Sequence, residues 1–133
     1  MTQLASGTLT VAMTSTAAPQ KTGATTIERL ALVKQYSGAL DAAGNGDLLT
    51  ALAETAGSGA YVAIETIHGT LDGRSGGFAV QHGGTMGRGG ERLAITIVPD
   101  SGYGQLAGIR GSLAIERRDG RHCYTLAYEL PAP

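Results

Sequence analysis

Residues 61–82 read YVAIETIHGTLDGRSGGFAVQH, two alternating apolar runs on either side of Asp72-Gly73. An Asp-Gly pair between such runs is typical of a two-residue hairpin, because a type I′ turn needs positive φ at both central positions. Side chains of a strand alternate between its two faces, so the turn also decides which residues of the two runs share a face. The segment therefore predicts an antiparallel β-hairpin with one apolar side.

This hairpin brings two ionisable residues, Glu65 and His82, onto the apolar face. With Asp72-Gly73 as the turn, Glu65 faces Val80 and His82 is its diagonal neighbour. With Gly73-Arg74 as the turn, Glu65 faces His82 directly. The two side chains are about 5–8 Å apart in either register. A carboxyl and an imidazole in an apolar cavity form a proton-transfer unit near neutral pH, so we predict Glu65 and His82 as catalytic residues.

Five further side chains are candidates for contacting a substrate because they are predicted to face the same interior. They are Tyr61, Phe78, Tyr124, Tyr128 and Lys34. Tyrosine hydroxyls can donate hydrogen bonds to an oxygen that gains negative charge. Lys34 lies on an apolar face with Leu32 and Tyr36. It either points inward as a cation for a carboxylate ligand or extends outward at the barrel end, which is the favoured placement for a long amphipathic side chain.

Composition excludes several classes of function. The 133 residues suit a single domain, and ten basic residues balance eleven acidic ones without the basic patch that nucleic-acid binding needs. A lone cysteine, Cys123, allows no intrachain disulfide, and no spacing of ligands suggests a metal site. Neither a signal peptide nor an apolar run long enough for a membrane helix is recognised. We expect a soluble cytoplasmic protein that uses no cofactor or metal and binds neither nucleic acid nor membrane.

Short β-type runs separated by glycine-rich turns fill the rest of the chain, and Gly accounts for 21 residues. This pattern predicts an all-β protein. Residues 14–26 are polar and are expected to form a flexible loop, and Asn45-Gly46 is expected to form a turn. Residues 47–55 suit a strand or one turn of helix, and a strand is favoured by the flanking turn signals. The predicted strands cover residues 4–13, 27–41, 47–55, 60–71, 75–86, 91–99, 111–118 and 121–130.

Two further turns agree with the same interior. A turn at Asp119-Gly120 places Leu113 opposite Leu126, and a loop over residues 87–90 places His82 opposite Ile95. Eight strands with short antiparallel links and one buried face each suit a closed meander, because closure removes exposed sheet edges. We therefore predict an eight-stranded antiparallel up-and-down β-barrel, wide enough for side chains or one small ligand.

Several stretches of the chain resemble a bacterial family of domains of unknown function. They are residues 59–65, 69–76, 78–82, 98–102, 106–111 and 122–124, together with Tyr128. The resemblance covers about residues 4–130. It implies an eight-stranded barrel similar to allene oxide cyclase and distantly similar to lipocalins and avidin. The family has no settled activity, and the motifs of plant allene oxide cyclase do not occur in this chain.

Three functions are compatible with these features. A cofactor-independent isomerase, cyclase or lyase would act on a small apolar substrate in the lumen by acid–base chemistry. A lipocalin-like binding protein would only hold a small lipophilic ligand there. A barrel whose lumen is filled by side chains would instead act through an oligomer interface. Because Val62 and Ile64 fall on the outer face, a homodimer or larger homo-oligomer is also expected.

Overall fold

The computed structural model describes residues 1–132, which form a closed antiparallel β-barrel of eight long strands with two short additions. The long strands are β1 (Gln3–Ser15), β3 (Thr25–Gly38), β4 (Leu40–Ala53), β5 (Gly59–Leu71), β6 (Arg74–Gly87), β7 (Gly90–Ile97), β9 (Arg110–Arg118) and β10 (Arg121–Glu129). The short ones are β2 (Gln20–Thr22) and β8 (Tyr103–Gly104). Within residues 1–132, no helix is long and apolar enough to cross a membrane.

Each long strand pairs with the next long strand along the chain, and β1 closes the ring by pairing with both β10 and β3. β2 pairs with the first three residues of β3, and β8 pairs with β6. The eight-stranded antiparallel up-and-down barrel predicted from the sequence is therefore confirmed.

The turns set the register as predicted. Asp72 and Gly73 have φ values of 48° and 81°, which is the left-handed pair that a type I′ turn needs. Glu65 consequently faces Val80, so the alternative register with its turn at Gly73-Arg74 is wrong. Asp119 repeats this conformation with φ 51°. The predicted pairs Leu113–Leu126 and His82–Ile95 are likewise present.

The predicted boundary between the second and third strands is wrong. The chain turns after Gly38, which has φ 109°, and Asn45-Gly46 lies inside β4 instead of forming a turn. A Cβ atom on Gly46 would lie 2.2 Å from the carbonyl oxygen of Ile64, so this glycine permits close strand packing. Residues 47–53 are a strand, as favoured, but they continue β4.

Most of the predicted loop over residues 14–26 is also strand. β1 continues to Ser15, β2 pairs with β3, and Gly23 turns the chain between them with φ 59°. Five threonines in this segment explain the preference for extended structure, since β-branched residues favour strands.

The barrel is packed at one end and hollow at the other. The packed end, called here the closed end, carries the turn at Asp72-Gly73 and the connection over residues 98–109, whose Leu106 and Ile109 are buried in the core. The mouth is the opposite end, with the turns at 54–58, 88–89 and 119–120. The core cluster includes Tyr36, Leu40, Leu71, Phe78, Leu126 and Tyr128.

Candidate functional site in the barrel lumen

The mouth side of the lumen contains a cavity of about 1200 Å³, called here the lumen cavity. Its walls are mostly apolar and include Val11, Leu32, Leu48, Leu93, Ile95 and Ile115. Two ionisable side chains, Lys34 and His82, line its inner part, whereas Glu91, Arg117 and His122 lie near the mouth. Small-molecule sites have this character, with a mainly apolar lining and a few polar groups.

Lys34 and His82 meet at a buried carboxylate. Glu65 has no exposed surface, and its Oε1 atom accepts hydrogen bonds from Lys34 Nζ and from His82 Nε2, each at 2.9 Å. Its Oε2 atom accepts one from the Tyr36 hydroxyl at 2.7 Å. Because an ionised carboxylate can only accept, Nε2 of the His82 ring carries the hydrogen. These four residues are called here the Glu65 cluster.

Strand geometry assembles this cluster from three strands. Lys34 and Tyr36 are two residues apart on β3 and therefore share its inward face, while Glu65 comes from β5 and His82 from β6. β4 lies between β3 and β5 and supplies Gly44, opposite Lys34. A Cβ atom on Gly44 would lie only 2.1 Å from Glu65 Oε2. The carboxylate therefore occupies the space that a side chain on β4 would fill.

The cluster keeps Glu65 ionised. Burial alone raises the pKa of a carboxyl group, but the hydrogen bond from His82, the charge of Lys34 and the Tyr36 hydroxyl together lower the pKa of Glu65 from its ordinary 4.5. Burial, followed by the adjacent Glu65 charge, raises the pKa of Tyr36. Tyr36 therefore keeps its proton and donates a hydrogen bond to the ionised Glu65 carboxylate.

Polar atoms of the cluster remain available to the cavity, namely hydrogens of Lys34 and the acceptor Nδ1 of His82. Lys34 and His82 are 5% and 4% exposed and line the lumen cavity, whereas Glu65 lies behind them at 0%. Among the described residues, Nδ1 of His82 has no hydrogen-bond partner, and Lys34 uses one of its three hydrogens. No side-chain polar atom that is fully shielded from solvent lacks a partner in this part of the chain, so His82 Nδ1 has accessible surface, and the His82 side chain lines the lumen cavity.

Comparison with known proteins gives the family. Residues 5–128 match the model of a family described as "Protein of unknown function (DUF3224)". The chain belongs to this family. A crystal structure of a DUF3224 protein of unknown function from Shewanella oneidensis MR-1 is 35% identical, with a TM-score of 0.94 over 99% of this chain and 100% of that one. No match is found among curated proteins.

The DUF3224 barrel brings together three of the residues singled out in the sequence. Glu65 and His82 are in contact as expected, and their catalytic role stays a prediction. Lys34 points inward to Glu65, so the favoured outward placement is wrong, because the buried carboxylate compensates its charge. Tyr61 lies on the cavity wall, with its ring centre 6.5 Å from that of His82, and burial and the charge of Glu91 raise its pKa.

The remaining three candidates pack at the closed end, where no ligand in the lumen cavity would reach them. Phe78 belongs to the core. The Tyr124 hydroxyl accepts a hydrogen bond from the Leu40 amide at 2.9 Å and lies 3.0 Å from the Ser37 carbonyl oxygen. The Tyr128 hydroxyl donates to the Asp72 carboxylate; burial and this carboxylate raise the pKa of Tyr128 to about 12. These contacts close the barrel.

Sequence reasoning missed Tyr36 and Gly44. Tyr36 was on the correct face, two residues after Lys34, and that spacing is the signal that could have added it to the site. Gly44 gives no such signal, because a glycine needed for close approach has the same appearance in sequence as one in a turn.

The outer surface bears apolar side chains, as expected. Val62 and Ile64 are 56% and 54% exposed and lie beside Leu49 on neighbouring strands. The homodimer or larger homo-oligomer expected from them stays a prediction.

Proposed function

We propose that the barrel binds a small, largely apolar molecule in the lumen cavity, with a polar group of that molecule against Lys34 and His82. The observation that carries this proposal is a cavity of about 1200 Å³ with apolar walls and unused hydrogen-bond donors in its inner part. The bulky side chains Phe78, Tyr124 and Tyr128 leave this volume free because they pack at the closed end.

The energetics of the Glu65 cluster support a functional origin. Burying a charged pair costs desolvation energy, and apolar residues of similar volume often give equal or greater stability. A barrel that required only a packed core would have no need of Lys34 and Glu65 at this depth. Perturbed ionisable groups beside a cavity are characteristic of binding and active sites.

A neutral apolar dye tests the proposal. Nile red should bind saturably, with fluorescence that rises in the apolar lumen. Thr50 lines the cavity and its neighbour Leu49 is 37% exposed outside the barrel, so Thr50→Trp blocks the lumen while Leu49→Trp is a matched control. We expect Thr50→Trp to weaken binding about tenfold or more and Leu49→Trp to leave it unchanged. Equal binding by both variants would place the dye outside the lumen and contradict the proposal.

A second candidate function is acid–base catalysis of an isomerisation, cyclisation or elimination. It is favoured by one observation: His82 has Nε2 fixed by Glu65 while Nδ1 is accessible from the cavity. In this arrangement His82 would move the proton, and the buried Glu65 would orient the ring and stabilise its cationic form. The Tyr61 hydroxyl, on a ring whose centre lies 6.5 Å from that of His82, is a candidate to steady developing negative charge. Such chemistry requires no cofactor.

Ring opening of nitrobenzisoxazole, which needs only a base to remove one proton, tests this candidate. The barrel should accelerate the reaction, and His82→Gln should lose about a hundredfold or more of that rate, the range of a general base. Glu65→Gln should lower turnover more than affinity. If His82→Gln retains the rate, or if Glu65→Gln changes affinity alone, the lumen acts in binding without catalysis.

A further inference from the structure

We infer that the lumen cavity selects apolar molecules that carry a carboxylate, which would accept hydrogen bonds from Lys34 Nζ. This inference rests on the proposed binding function and adds the chemical class of the ligand. It follows from the hydrogen-bond donors of the Glu65 cluster, from the direction of its charges and from the apolar walls above it.

The ammonium group of Lys34 has hydrogen-bond donors that no described residue uses. An ammonium group has three hydrogens, and Lys34 gives one to Glu65 at 2.9 Å. The other two have no acceptor among the described residues, although Lys34 is only 5% exposed. Since Lys34 lines the lumen cavity, an acceptor for these hydrogens can come from the cavity. His82 Nδ1 is also free, but with the ring hydrogen on Nε2 it accepts hydrogen bonds, so the donors for a ligand come from Lys34.

The charges of the cluster point the same way. Glu65 is completely buried behind Lys34 and His82, so the negative end of the cluster faces away from the cavity and the positive end faces into it. The acidic residues that line the cavity, Glu91 and Glu116, are exposed near the mouth, where solvent screens them. A ligand with a negative end would therefore be oriented with that end inward.

Other head groups fit this site less well. A protonated amine would meet the Lys34 ammonium, and like charges in a low-dielectric cavity repel strongly; the free His82 Nδ1 can accept a hydrogen bond but supplies no negative charge. An alcohol can accept a hydrogen bond from the Lys34 ammonium but brings no negative charge, so it lacks the ion-pair attraction that a carboxylate gains in a low-dielectric cavity. The expected order of affinity is carboxylate, then alcohol, then amine.

Three ligands with one apolar chain test this order in competition with Nile red: dodecanoate, dodecanol and dodecylamine. We expect dodecanoate to displace the dye at a concentration about tenfold or more below that of dodecanol, with dodecylamine weakest. Equal displacement by acid and alcohol, or preference for the amine, would overturn the inference and leave the binding function standing. Absence of saturable Nile red binding would remove the proposed function and this inference with it.

Variants identify the residues responsible. Lys34→Met should abolish the preference for dodecanoate, but this substitution leaves Glu65 buried without its charged partner. The double variant Lys34→Met with Glu65→Gln removes both charges and preserves the apolar cavity, so it tests the same point in a barrel without a buried unpaired charge. It should bind dodecanoate and dodecanol equally well while retaining Nile red. An undiminished preference for dodecanoate in the double variant would overturn the assignment to Lys34.

Discussion

A single side chain, Glu65, links three strands of the barrel through its two oxygen atoms. It accepts from Lys34 and Tyr36 of β3 and from His82 of β6 while it belongs to β5. The hydrogen bonds and the ion pair together offset the desolvation cost of burying the charges, and no one of these interactions is sufficient alone. Loss of one member therefore affects the others, and the loss of Glu65 affects them most.

Glu65→Gln should lower the free energy of unfolding by about 3–5 kcal/mol at neutral pH, because it leaves the Lys34 charge buried without a counter-charge. Urea unfolding followed by circular dichroism measures this difference. Glu116→Gln is the matched control, since it breaks an exposed ion pair with Arg118 of the same 2.9 Å length and should cost about 1 kcal/mol or less. Similar losses in both variants would show that the buried ion pair contributes no more to the free energy of unfolding than the exposed one.

Gly44→Ala should also destabilise the barrel, by about 1–3 kcal/mol, as overpacked cores are. The new methyl would clash with Glu65 Oε2, an atom held by Tyr36 and unable to move without breaking that hydrogen bond. Gly83→Ala is the control on β6, because a Cβ atom there meets nothing within 4 Å. That variant should be neutral or stabilised by about 0.5–1 kcal/mol. Thermal unfolding should therefore give Gly44→Ala a lower melting temperature than Gly83→Ala. Equal melting temperatures would contradict the packing argument.

At the scale of elements, the barrel has one weak seam. β7 and β9 are joined among the described residues by the single pair Thr96–Ser112, whereas β5 and β6 pair continuously from Gly59–Met86 to Leu71–Arg74. Towards the mouth, residues 90–95 and 113–118 therefore face one another without a ladder. Residues of both strands line the lumen cavity, so this seam is part of its wall.

Amide hydrogens that point into this seam should exchange with solvent faster than those of the β5–β6 ladder, because local opening there breaks no hydrogen bonds between strands. Residue-resolved exchange measured by NMR separates the amides of 90–95 that face the seam from those bonded to β6, which serve as an internal control. Uniform protection along β7 would mean that the seam is closed in solution.

Elements were predicted well where a turn needs a particular residue conformation. Asp72 and Asp119 both have positive φ, which few residues other than Gly, Asn and Asp tolerate, so Asp-Gly marks the turn and the register follows. Asn45-Gly46 is an equally typical turn pair but lies within a strand, where Gly46 allows the neighbouring backbone to approach closely. The difference is a tertiary contact, and local sequence does not record it.

For the whole molecule, the sequence predicted which side chains point inward but left the depth of each one open. Phe78 and Tyr61 both face the interior, yet Phe78 packs in the core and Tyr61 lines the cavity. Alternation along a strand assigns a face, while depth depends on the stagger of strands around the ring and on the connection that covers one end. Leu106 and Ile109 cover the closed end, and the lumen cavity lies on the side of the mouth.

The two halves also set limits on stability at opposite ends of the pH scale. Three tyrosines of the closed end and lumen, Tyr36, Tyr124 and Tyr128, have pKa values raised first by burial, to about 12 for Tyr128. Above pH 10.0 the unfolded chain loses these protons before the folded barrel does, so the contribution of the tyrosines to stability is complete below that pH and falls above it, and that of Tyr128 is lost as pH rises through about 12. The lowered pKa of Glu65 acts in the reverse sense. Its contribution is complete above pH 4.5 and is lost as pH falls below that value.

The free energy of unfolding in urea, measured across this range, should therefore form a plateau with a falling limb on each side. Tyr128→Phe should flatten the alkaline limb between pH 10.0 and about 12 and leave the acid limb unchanged. Glu65→Gln should lie below the natural protein on the plateau, and the gap should narrow below pH 4.5 because protonation then removes from the natural protein the charge that the variant already lacks. A constant gap down to low pH would mean that Glu65 is not the ionised centre of its cluster. The two variants thus assign the acid limb to the inner part of the cavity and the Tyr128 share of the alkaline limb to the closed end.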